Sequence, residues 1–316
     1  MTAPHLGAGH AVAGRYTIRS LIAYTGEVAT YHAVGQQGNE VVIKLFDAAL
    51  GQRADVMARL EQVRGQVAAL PRELVVPVID SGYDVGTSAP FSVTELLRVP
   101  SLAQMVRSGP LPPNVVATIL HSLSRALDAA HAQQLFHHAL KPTNLFVGAA
   151  PHYAVRIADF GASVVRSSSP THESYANSAP WWAPEQLQPA AVLGAATDIF
   201  ASALIAFYAM TARSYWLSCQ SSPPDLPAWQ SEVMGQRTTV SQRASELSAT
   251  VPSMVDGIFM RALSVNLLDR PRTVSELANA LGAVGGIADD SAGPQTVALP
   301  ELSAYQSNDQ HAMAVQ

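Results

Sequence analysis

Charged side chains are scarce in this chain of 316 residues. Asp, Glu, Lys and Arg make up 14 % of it, against roughly 25 % in a typical soluble domain. The formal net charge is -5, so the sequence lacks the basic excess that would attract nucleic acid or an anionic membrane. We therefore expect neither as a partner. The hydrophobic share of 48 % is sufficient for a large buried core.

Cysteine is almost absent, and long apolar runs are absent altogether. Cys219 is the single cysteine, so no disulfide can form within the chain, and a reducing, cytoplasmic location is expected. The longest apolar stretch, residues 199–212, is shorter than the roughly 20 residues that span a bilayer and predicts a buried helix. The N-terminus has no basic segment followed by an apolar one, so no secretory signal is expected.

The first third of the chain has the composition and alternation of β-strands. Residues 1–14 are rich in Gly, Ala and His, and we expect a flexible extension there. Valine and leucine at helical spacing predict one helix, at 53–69. Five strands are predicted between turns that contain Gly and Asn, at 16–23, 28–34, 40–46, 74–80 and 90–96.

The remainder of the chain is predicted to be mostly helical. An apolar stripe after Pro113 predicts a long helix, and Thr197 is suited to cap a second one. The run from Thr273 to Glu276 has the form of a capping box before a last helix.

These patterns together predict an α+β protein with two lobes. The small, β-rich N-lobe with one main helix would occupy residues 15–96, and the larger α-helical C-lobe residues 97–285. Residues 286–316 are polar and aperiodic, and we expect a disordered tail.

Six short motifs follow one another along the predicted elements. In chain order they are Val42-Ile43-Lys44, His137-His138-Ala139-Leu140-Lys141-Pro142-Thr143-Asn144, Asp159-Phe160-Gly161, Ala183-Pro184-Glu185, Asp198 and Arg270. Each alone is weak, but in this order and on these elements they resemble the eukaryotic-type (Hanks-type) serine/threonine protein kinases of bacteria. The resemblance covers residues 15–281 and implies the two-lobed protein-kinase fold.

The resemblance also implies a site for ATP with Mg²⁺ or Mn²⁺. Lys44 would hold the α- and β-phosphates, and Lys141 would contact the γ-phosphate and the substrate hydroxyl. Asn144 and Asp159 would bind the metal. These groups fit the chemistry because phosphoryl transfer depends mostly on positioning and on neutralising phosphate charge.

The adenine side of the site is implied by the segment that would join the two lobes. Thr94 matches the gatekeeper position, and Glu95 and Leu96 lie in the segment that contacts adenine through its backbone. Gly26 is what remains of the glycine-rich loop. Ala23, Thr25 and Val28 would take the three glycine positions, where side chains hinder close approach to phosphates.

Other matches imply structural roles. His137 would pack on Phe160 as a core histidine. Glu185 and Arg270 would form a buried ion pair that holds the activation segment to the C-lobe. Asp198 would hold the backbone of the catalytic loop. These three features support the fold and say little about turnover.

The most informative departure from the family is Ala139. Active kinases have an aspartate here, which orients the substrate hydroxyl and accepts its proton. A methyl group does neither, and positioned acid–base groups are worth roughly 10²–10⁴ in rate. In the family an arginine precedes this aspartate and binds a phosphorylated activation loop. This sequence has His138 at that position.

Two further regions depart from the family pattern. The helix after Lys44 should supply a glutamate to pair with it, but Val63 occupies that site and the nearest acid is Glu61. The pair is therefore either shifted or absent. In the substrate loop Ser178 keeps a hydroxyl. The neighbouring Trp181 and Trp182 are expected to pack in the core, with a partner-facing anchor as the alternative for one of them.

Hydroxyl side chains crowd the activation segment, and a solvated polar loop is favoured there over phosphorylation by another kinase. They are Ser167, Ser168, Ser169, Thr171 and Ser174.

Four functions remain open from the sequence. The first is a pseudokinase that binds ATP and regulates or scaffolds a protein partner, such as an active kinase. The second is a weakly active Ser/Thr protein kinase that transfers the γ-phosphate to protein hydroxyls. The third is transfer of the nucleotide part of ATP, and the fourth is a scaffold without nucleotide. The sequence favours the first, because the phosphate and metal groups remain while the base is lost.

Overall fold

Six strands in the first third of the chain form one antiparallel sheet. The computed structural model describes residues 2–168, 172–188 and 191–285. In the sheet the order of strands is β1-β2-β3-β4-β6-β5. Their bounds are β1 Ala11–Val12, β2 Tyr16–Tyr24, β3 Val28–Gly35, β4 Glu40–Phe46, β5 Asp80–Asp84 and β6 Ala89–Glu95. Helix α1, Ala54–Ala68, lies between β4 and β5 in the chain.

The two faces of this sheet differ because successive side chains of a strand point to opposite sides. On β4 Val41, Ile43 and Leu45 are at most 1 % exposed and form the core of one face. Lys44 alternates with them and points to the other face, where it contacts Asp159 of the second lobe. The sheet therefore has an outer face packed as a core and an inner face directed at the cleft between the lobes.

The second lobe is mostly helical. Its helices are α2 Leu102–Val106, α3 Pro113–Ala132, α4 Ala162–Ser168, α5 His172–Ser178, α6 Ala195–Thr211, α7 Leu226–Met234, α8 Val240–Glu246, α9 Asp256–Ala262 and α10 Val274–Gly285. A two-stranded antiparallel ribbon, β7 Leu145–Val147 and β8 Val155–Ile157, lies between α3 and α4 in the chain. The α+β class and the two-lobed architecture expected from the sequence are confirmed.

The core of the second lobe is centred on α6, which packs against α3 and α10. Helix α6 is apolar around nearly its whole circumference, as expected of a helix surrounded by others. Helix α3 begins at Pro113, as predicted, because proline suits the first turn where its missing N–H is not needed. At the start of α10 the Thr273 hydroxyl accepts a hydrogen bond from the Glu276 N–H at 3.1 Å, so the first half of the predicted capping box forms.

Of the strand predicted at residues 74–80, only the last residue, Asp80, pairs within the N-lobe sheet. Val75 instead forms a single parallel bridge with Ile157 of β8, and β5 begins only at Asp80. Pro77 accounts for part of the difference, because a proline lacks the N–H that a ladder needs. This segment therefore ties the two lobes together along one side.

The N-terminal residues differ from the flexible extension that we expected. Strand β1 pairs with β2, and Ala3 is only 3 % exposed. The Ala13 N–H donates to the buried Asp84 carboxylate at 2.7 Å. The segment is attached because the outer face of the sheet is apolar and these small residues cover it. The expected tail at 286–316 lies outside the described residues.

Candidate functional site

Lys44 on β4 and Asp159 after β8 meet at the centre of the cleft. The Lys44 ammonium contacts Asp159 Oδ1, and each side chain is about a quarter exposed. Burial alone would raise the pKa of Asp159, but the Lys44 ammonium and then Lys141 outweigh it and hold the pKa below its usual range. Asp159 is therefore ionised at neutral pH. Its carboxylate pairs with Lys44, the lysine that the sequence analysis assigned to the phosphates.

Helix α1 supplies no acid to Lys44. Glu61 lies at the surface and accepts a hydrogen bond from Arg64 Nε at 2.9 Å. Val63, at the position expected for the glutamate, is buried and faces Gly161, where a Cβ would stand 3.4 Å from its Cγ1. Gly161 has φ +91, a left-handed conformation that favours glycine. The sequence left open whether Glu61 pairs with Lys44. In the structure Lys44 pairs with Asp159 and not with Glu61.

Helix α4 follows Gly161 directly and packs against α1. Val165 is buried in a small cluster with Leu50 and Val56, and Val164 and Leu60 pack beside them. This cluster closes the space between α1 and the start of the activation segment, which helps to explain why an apolar Val63 suits its position.

Asp198, fully buried at the start of α6, holds the catalytic loop as the sequence predicted. Its carboxylate accepts hydrogen bonds from the backbone N–H groups of His137 at 2.9 Å and His138 at 2.7 Å. A third comes from His131 Nε2 at 2.9 Å. Burial would raise the pKa of Asp198, but the His131 hydrogen bond and the surrounding imidazoles outweigh it and lower that pKa.

The ring of His137 is used entirely within the fold. Its Nδ1 accepts from the Ala139 N–H at 3.2 Å, so its Nε2 carries the proton and donates to the Ala158 carbonyl at 2.9 Å. Burial lowers the pKa of this imidazole, which therefore stays neutral. The ring lies 4.7 Å from that of Phe160, centroid to centroid. The predicted core histidine is confirmed, since neither nitrogen can ligate a metal.

Ala139 stands where the family has its base, in a loop that otherwise keeps its hydrogen bonds. The Asn144 amide nitrogen donates to the Ala139 carbonyl at 3.2 Å, which directs the amide oxygen away from that carbonyl. The Gln186 amide donates to the His138 carbonyl at 2.9 Å. Ala139 and Lys141 line one narrow pocket, so the lysine assigned to the γ-phosphate lies beside the missing base.

Asn144 and Asp159 together fit Mg²⁺. Their amide and carboxylate oxygens are the hard donors that this ion prefers, and it is usually held by one or two carboxylates plus substrate phosphates. Within residues 2–168, 172–188 and 191–285 no group of three or more His, Cys, Asp or Glu is arranged to hold a metal ion. Two oxygen donors are fewer than the six that Mg²⁺ takes, so further ligands would have to come from water or substrate.

The adenine segment lies at the end of β6, next to β4. Thr94 pairs with Val42 and Glu95 with Val41. The Leu96 N–H donates to the Glu40 carbonyl at 3.5 Å, so this amide is used within the sheet.

Arg156 of β8 contacts this segment, and the sequence analysis missed it. It donates to the Glu95 carboxylate at 2.6 Å and to the Val75 carbonyl at 3.1 Å. The contact fixes the joining segment to β8 of the second lobe. No sequence signal pointed to it, because Arg156 lies on a short strand far from Glu95 in the chain.

Gly26 lies at the tip of the β2–β3 hairpin, which has the position of the glycine-rich loop. Its φ of +77 is one that glycine adopts without strain. The Thr25 N–H donates to the Val28 carbonyl at 3.1 Å, which closes a tight turn. Gly26 therefore serves a tight turn between the two strands.

The two tryptophans of the substrate loop are core residues. Trp182 is 8 % exposed and packs edge-on against Tyr175 at 4.7 Å. Trp181 packs edge-on against Tyr208 at 5.5 Å. The core interpretation is thus preferred to a partner-facing anchor.

Of the activation-segment hydroxyls, Ser169 and Thr171 lie outside the described residues. So do the side chains of Ser167, Ser168 and Ser174.

The carboxylate of Asp198 makes the free energy of unfolding depend on pH, with a sign that can be predicted. Its pKa is lowered in the folded state, whereas an unfolded aspartate titrates near about 3.9. The stabilisation is therefore present above that pH and is lost as pH falls through the folded pKa. We expect the free energy of unfolding to fall as the pH drops below about 5, and to fall less steeply in Asp198→Asn.

Urea unfolding at a series of pH values measures this, with Asp225→Asn as the control at an exposed helix cap. Equal pH slopes for the Asp198 variant and the wild type would contradict the expectation.

Within the described part of the chain, no helix combines the length and apolar character needed to cross a membrane.

Comparison with known proteins agrees with this geometry. The model of the protein kinase domain matches residues 28–277. The probable serine/threonine-protein kinase CE0033 of Corynebacterium efficiens is 26 % identical over 309 residues, which is 92 % of this chain and 46 % of that protein. PknB of Corynebacterium glutamicum, a probable serine/threonine-protein kinase, is 27 % identical over 86 % of this chain and 42 % of its own length. The chain thus spans less than half of these relatives.

Solved structures support the fold. The kinase domain of Mycobacterium tuberculosis PknI superposes with a TM-score of 0.65 at 21 % identity, over 88 % of this chain and 99 % of that domain. Rad53 residues 1–466 in complex with AMP-PNP superposes with a TM-score of 0.64 at 15 % identity, over 84 % of this chain and 64 % of that one. Because the family model covers most of the sequence and the cleft has its ordered motifs in place, the chain belongs to the protein kinase family and groups with the Hanks-type serine/threonine kinases of bacteria.

Proposed function

We propose that this chain is a pseudokinase, which binds ATP with Mg²⁺ or Mn²⁺, has little or no phosphoryl transfer, and regulates or scaffolds a protein partner. The observation that carries the proposal is Ala139. It lies in a catalytic loop that Asp198 and Asn144 still hold by hydrogen bonds.

The methyl group of Ala139 removes one step and leaves the others. It cannot orient a substrate hydroxyl or take its proton, a role worth roughly 10²–10⁴ in rate. Neighbouring His138 is poorly placed to replace it, because its ring stacks on Phe136 with centroids 5.5 Å apart. We therefore expect the chain to have lost phosphoryl transfer while it keeps the residues that would bind nucleotide.

Nucleotide binding would rearrange the centre of the cleft. Lys44 is engaged by Asp159, so phosphates must compete with that carboxylate for the ammonium. A bound Mg²⁺, held by Asn144 and Asp159, would supply positive charge to the phosphates. Asp159 would then move its interaction from Lys44 to the metal, which leaves Lys44 to bind phosphate. The proposal thus favours nucleotide binding that depends on metal.

The partner and the location belong to the same proposal. A chain with a kinase surface and no base would act by contact, with an active kinase or another signalling protein as its partner. A cytoplasmic location is expected because ATP and reducing conditions are found there.

A thermal-shift titration with ATP tests the proposal, using Mg²⁺, Mn²⁺ or no metal. If the folded state binds, stabilisation grows as RT ln(1 + [L]/Kd), about 2.7 kcal/mol at 100 times Kd. We expect a metal-dependent rise that Lys44→Ala and Asp159→Asn both abolish. Glu61→Gln is the matched control, since its carboxylate is at the surface on Arg64. A flat response in the folded wild type would contradict the nucleotide half of the proposal.

Labelled ATP separates the remaining alternatives. Transfer from the γ-phosphate by the wild type, lost in Asp159→Asn, would show a weak Ser/Thr kinase in place of a pseudokinase. Label carried from the α-phosphate would show nucleotide transfer instead. We expect neither above the level of Asp159→Asn.

A further inference from the structure

Residues 3–10, which we call the strap, cover the outer face of the N-lobe sheet. Ala3 is 3 % exposed and belongs to the same buried cluster as Tyr31 and Ile43, with Leu6 packed against it. Lys44 follows Ile43 on β4 and therefore points to the opposite face. The strap and the cleft thus lie on opposite sides of one sheet.

A buried tyrosine on β3 holds the strap by both functions of its hydroxyl. Tyr31 is 0 % exposed. Its Oη donates to the Pro4 carbonyl at 3.0 Å and accepts from the Leu6 N–H at 2.8 Å. Tyr24 adds a hydrogen bond from its Oη to the Ala3 carbonyl at 3.2 Å. A buried hydroxyl that both donates and accepts is fully used, so the strap has one preferred position.

The strap also holds the tip of the β2–β3 hairpin. The Ala3 N–H donates to the Gly26 carbonyl at 2.6 Å. On the other side of the tip, the Asp47 N–H donates to the Glu27 carbonyl at 2.8 Å. The tip is therefore tied both to the strap and to the end of β4.

We propose that the strap is a positioning segment of the nucleotide site, which fixes the hairpin at residues 25–27 over the place of the phosphates. A family loop with three glycines adapts to phosphates through its own flexibility. This hairpin keeps Gly26 alone and is tied from outside, so its position is set before a ligand arrives. Pre-organisation of this kind lowers the cost of ordering a loop on binding. The part that concerns nucleotide rests on the proposed function.

Hydrogen exchange of the nucleotide-free protein tests the tie itself. Tyr31→Phe removes both hydroxyl bonds and keeps the ring, so it leaves the packing of the sheet intact. We expect the hairpin amides at residues 23–30 to exchange roughly 5- to 10-fold faster, while amides of α6 are unchanged. Tyr83→Phe is the control, because Tyr83 is 51 % exposed on β5. Hairpin exchange that stays at the wild-type rate both in Tyr31→Phe and in a deletion of residues 2–10 would overturn the proposal.

Calorimetric titration with ATP and Mg²⁺ tests the consequence. We expect Kd to rise roughly 3- to 10-fold in Tyr31→Phe and to stay unchanged in Tyr83→Phe. Faster hairpin exchange with an unchanged Kd would overturn the positioning role. Absence of binding by the wild type would refute the proposed nucleotide function and with it this role, while the exchange experiment would still decide whether the strap ties the hairpin.

Discussion

Replacing Arg270 by methionine is expected to lower the free energy of unfolding by about 3–5 kcal/mol. Arg270 has a side chain that is 0 % exposed and pairs with Glu185, whose side chain is 5 % exposed. Two of its nitrogens donate to the two carboxylate oxygens at 2.8 and 2.9 Å. Without the guanidinium, Glu185 becomes a buried charge that lacks its ion-pair partner, which is among the most costly changes that a core can undergo.

Other contacts of Arg270 add to this cost. It donates to the carbonyls of Ala196 at 2.9 Å and Ser264 at 2.9 Å, and each partly buried carbonyl would lose a partner. Its guanidinium also lies 4.8 Å from the centre of the Phe200 ring. These contacts join the activation segment, α6 and the loop before α10, so the variant should unfold cooperatively at a lower temperature.

Urea unfolding monitored by circular dichroism measures the change, with Arg261→Met as the matched control. The Arg261 side chain is 64 % exposed, so its loss should change stability by less than about 0.5 kcal/mol. The double variant Glu185→Leu/Arg270→Met should lose less than the two single variants summed, because it removes both charges together. Full additivity would show that the pair is not the source of the effect.

Much of the site could be predicted because the position of each motif residue on a helix or strand determines which part of the fold it contacts. Asp198 opens α6 and so meets the loop at His137 and His138. Arg270 precedes α10 and so meets Glu185. Alternation on β4 likewise placed Lys44 on the inner face of the sheet. In each case a local pattern fixes the direction of a side chain, and the family order fixes what it faces.

What could not be predicted depends on contacts between distant segments. Lys44 has one ammonium for which several acids of the chain could compete, and only the folded structure shows Asp159 against it while Glu61 lies at the surface on Arg64. The strap was taken for a flexible extension because Gly, Ala and His carry no periodic signal. Its anchor is Tyr31, a residue of β3. The strap takes part in these hydrogen bonds through its backbone N–H and carbonyl groups, which every residue has and which therefore leave no signal in the sequence.

Replacing Ala139 by aspartate is expected to raise γ-phosphate transfer by roughly 10²–10⁴ over the wild type. The substitution supplies a carboxylate beside Lys141 in a loop whose backbone is already held by Asp198 and Asn144. Because the loop needs no rearrangement, the added group should lie where a substrate hydroxyl would be oriented and deprotonated. Labelled transfer to general protein substrates such as casein measures the gain.

Ala139→Asn separates the chemistry of the new carboxylate from its size. The amide has the same shape but cannot accept the proton, so its transfer should stay near that of the wild type. The gain of Ala139→Asp should also disappear in Ala139→Asp/Asp159→Asn, because the metal ligand is still required. If the aspartate and asparagine variants instead transfer phosphate equally, the base is not what this chain lacks. The barrier would then lie at Lys44, which Asp159 occupies and to which α1 offers no carboxylate.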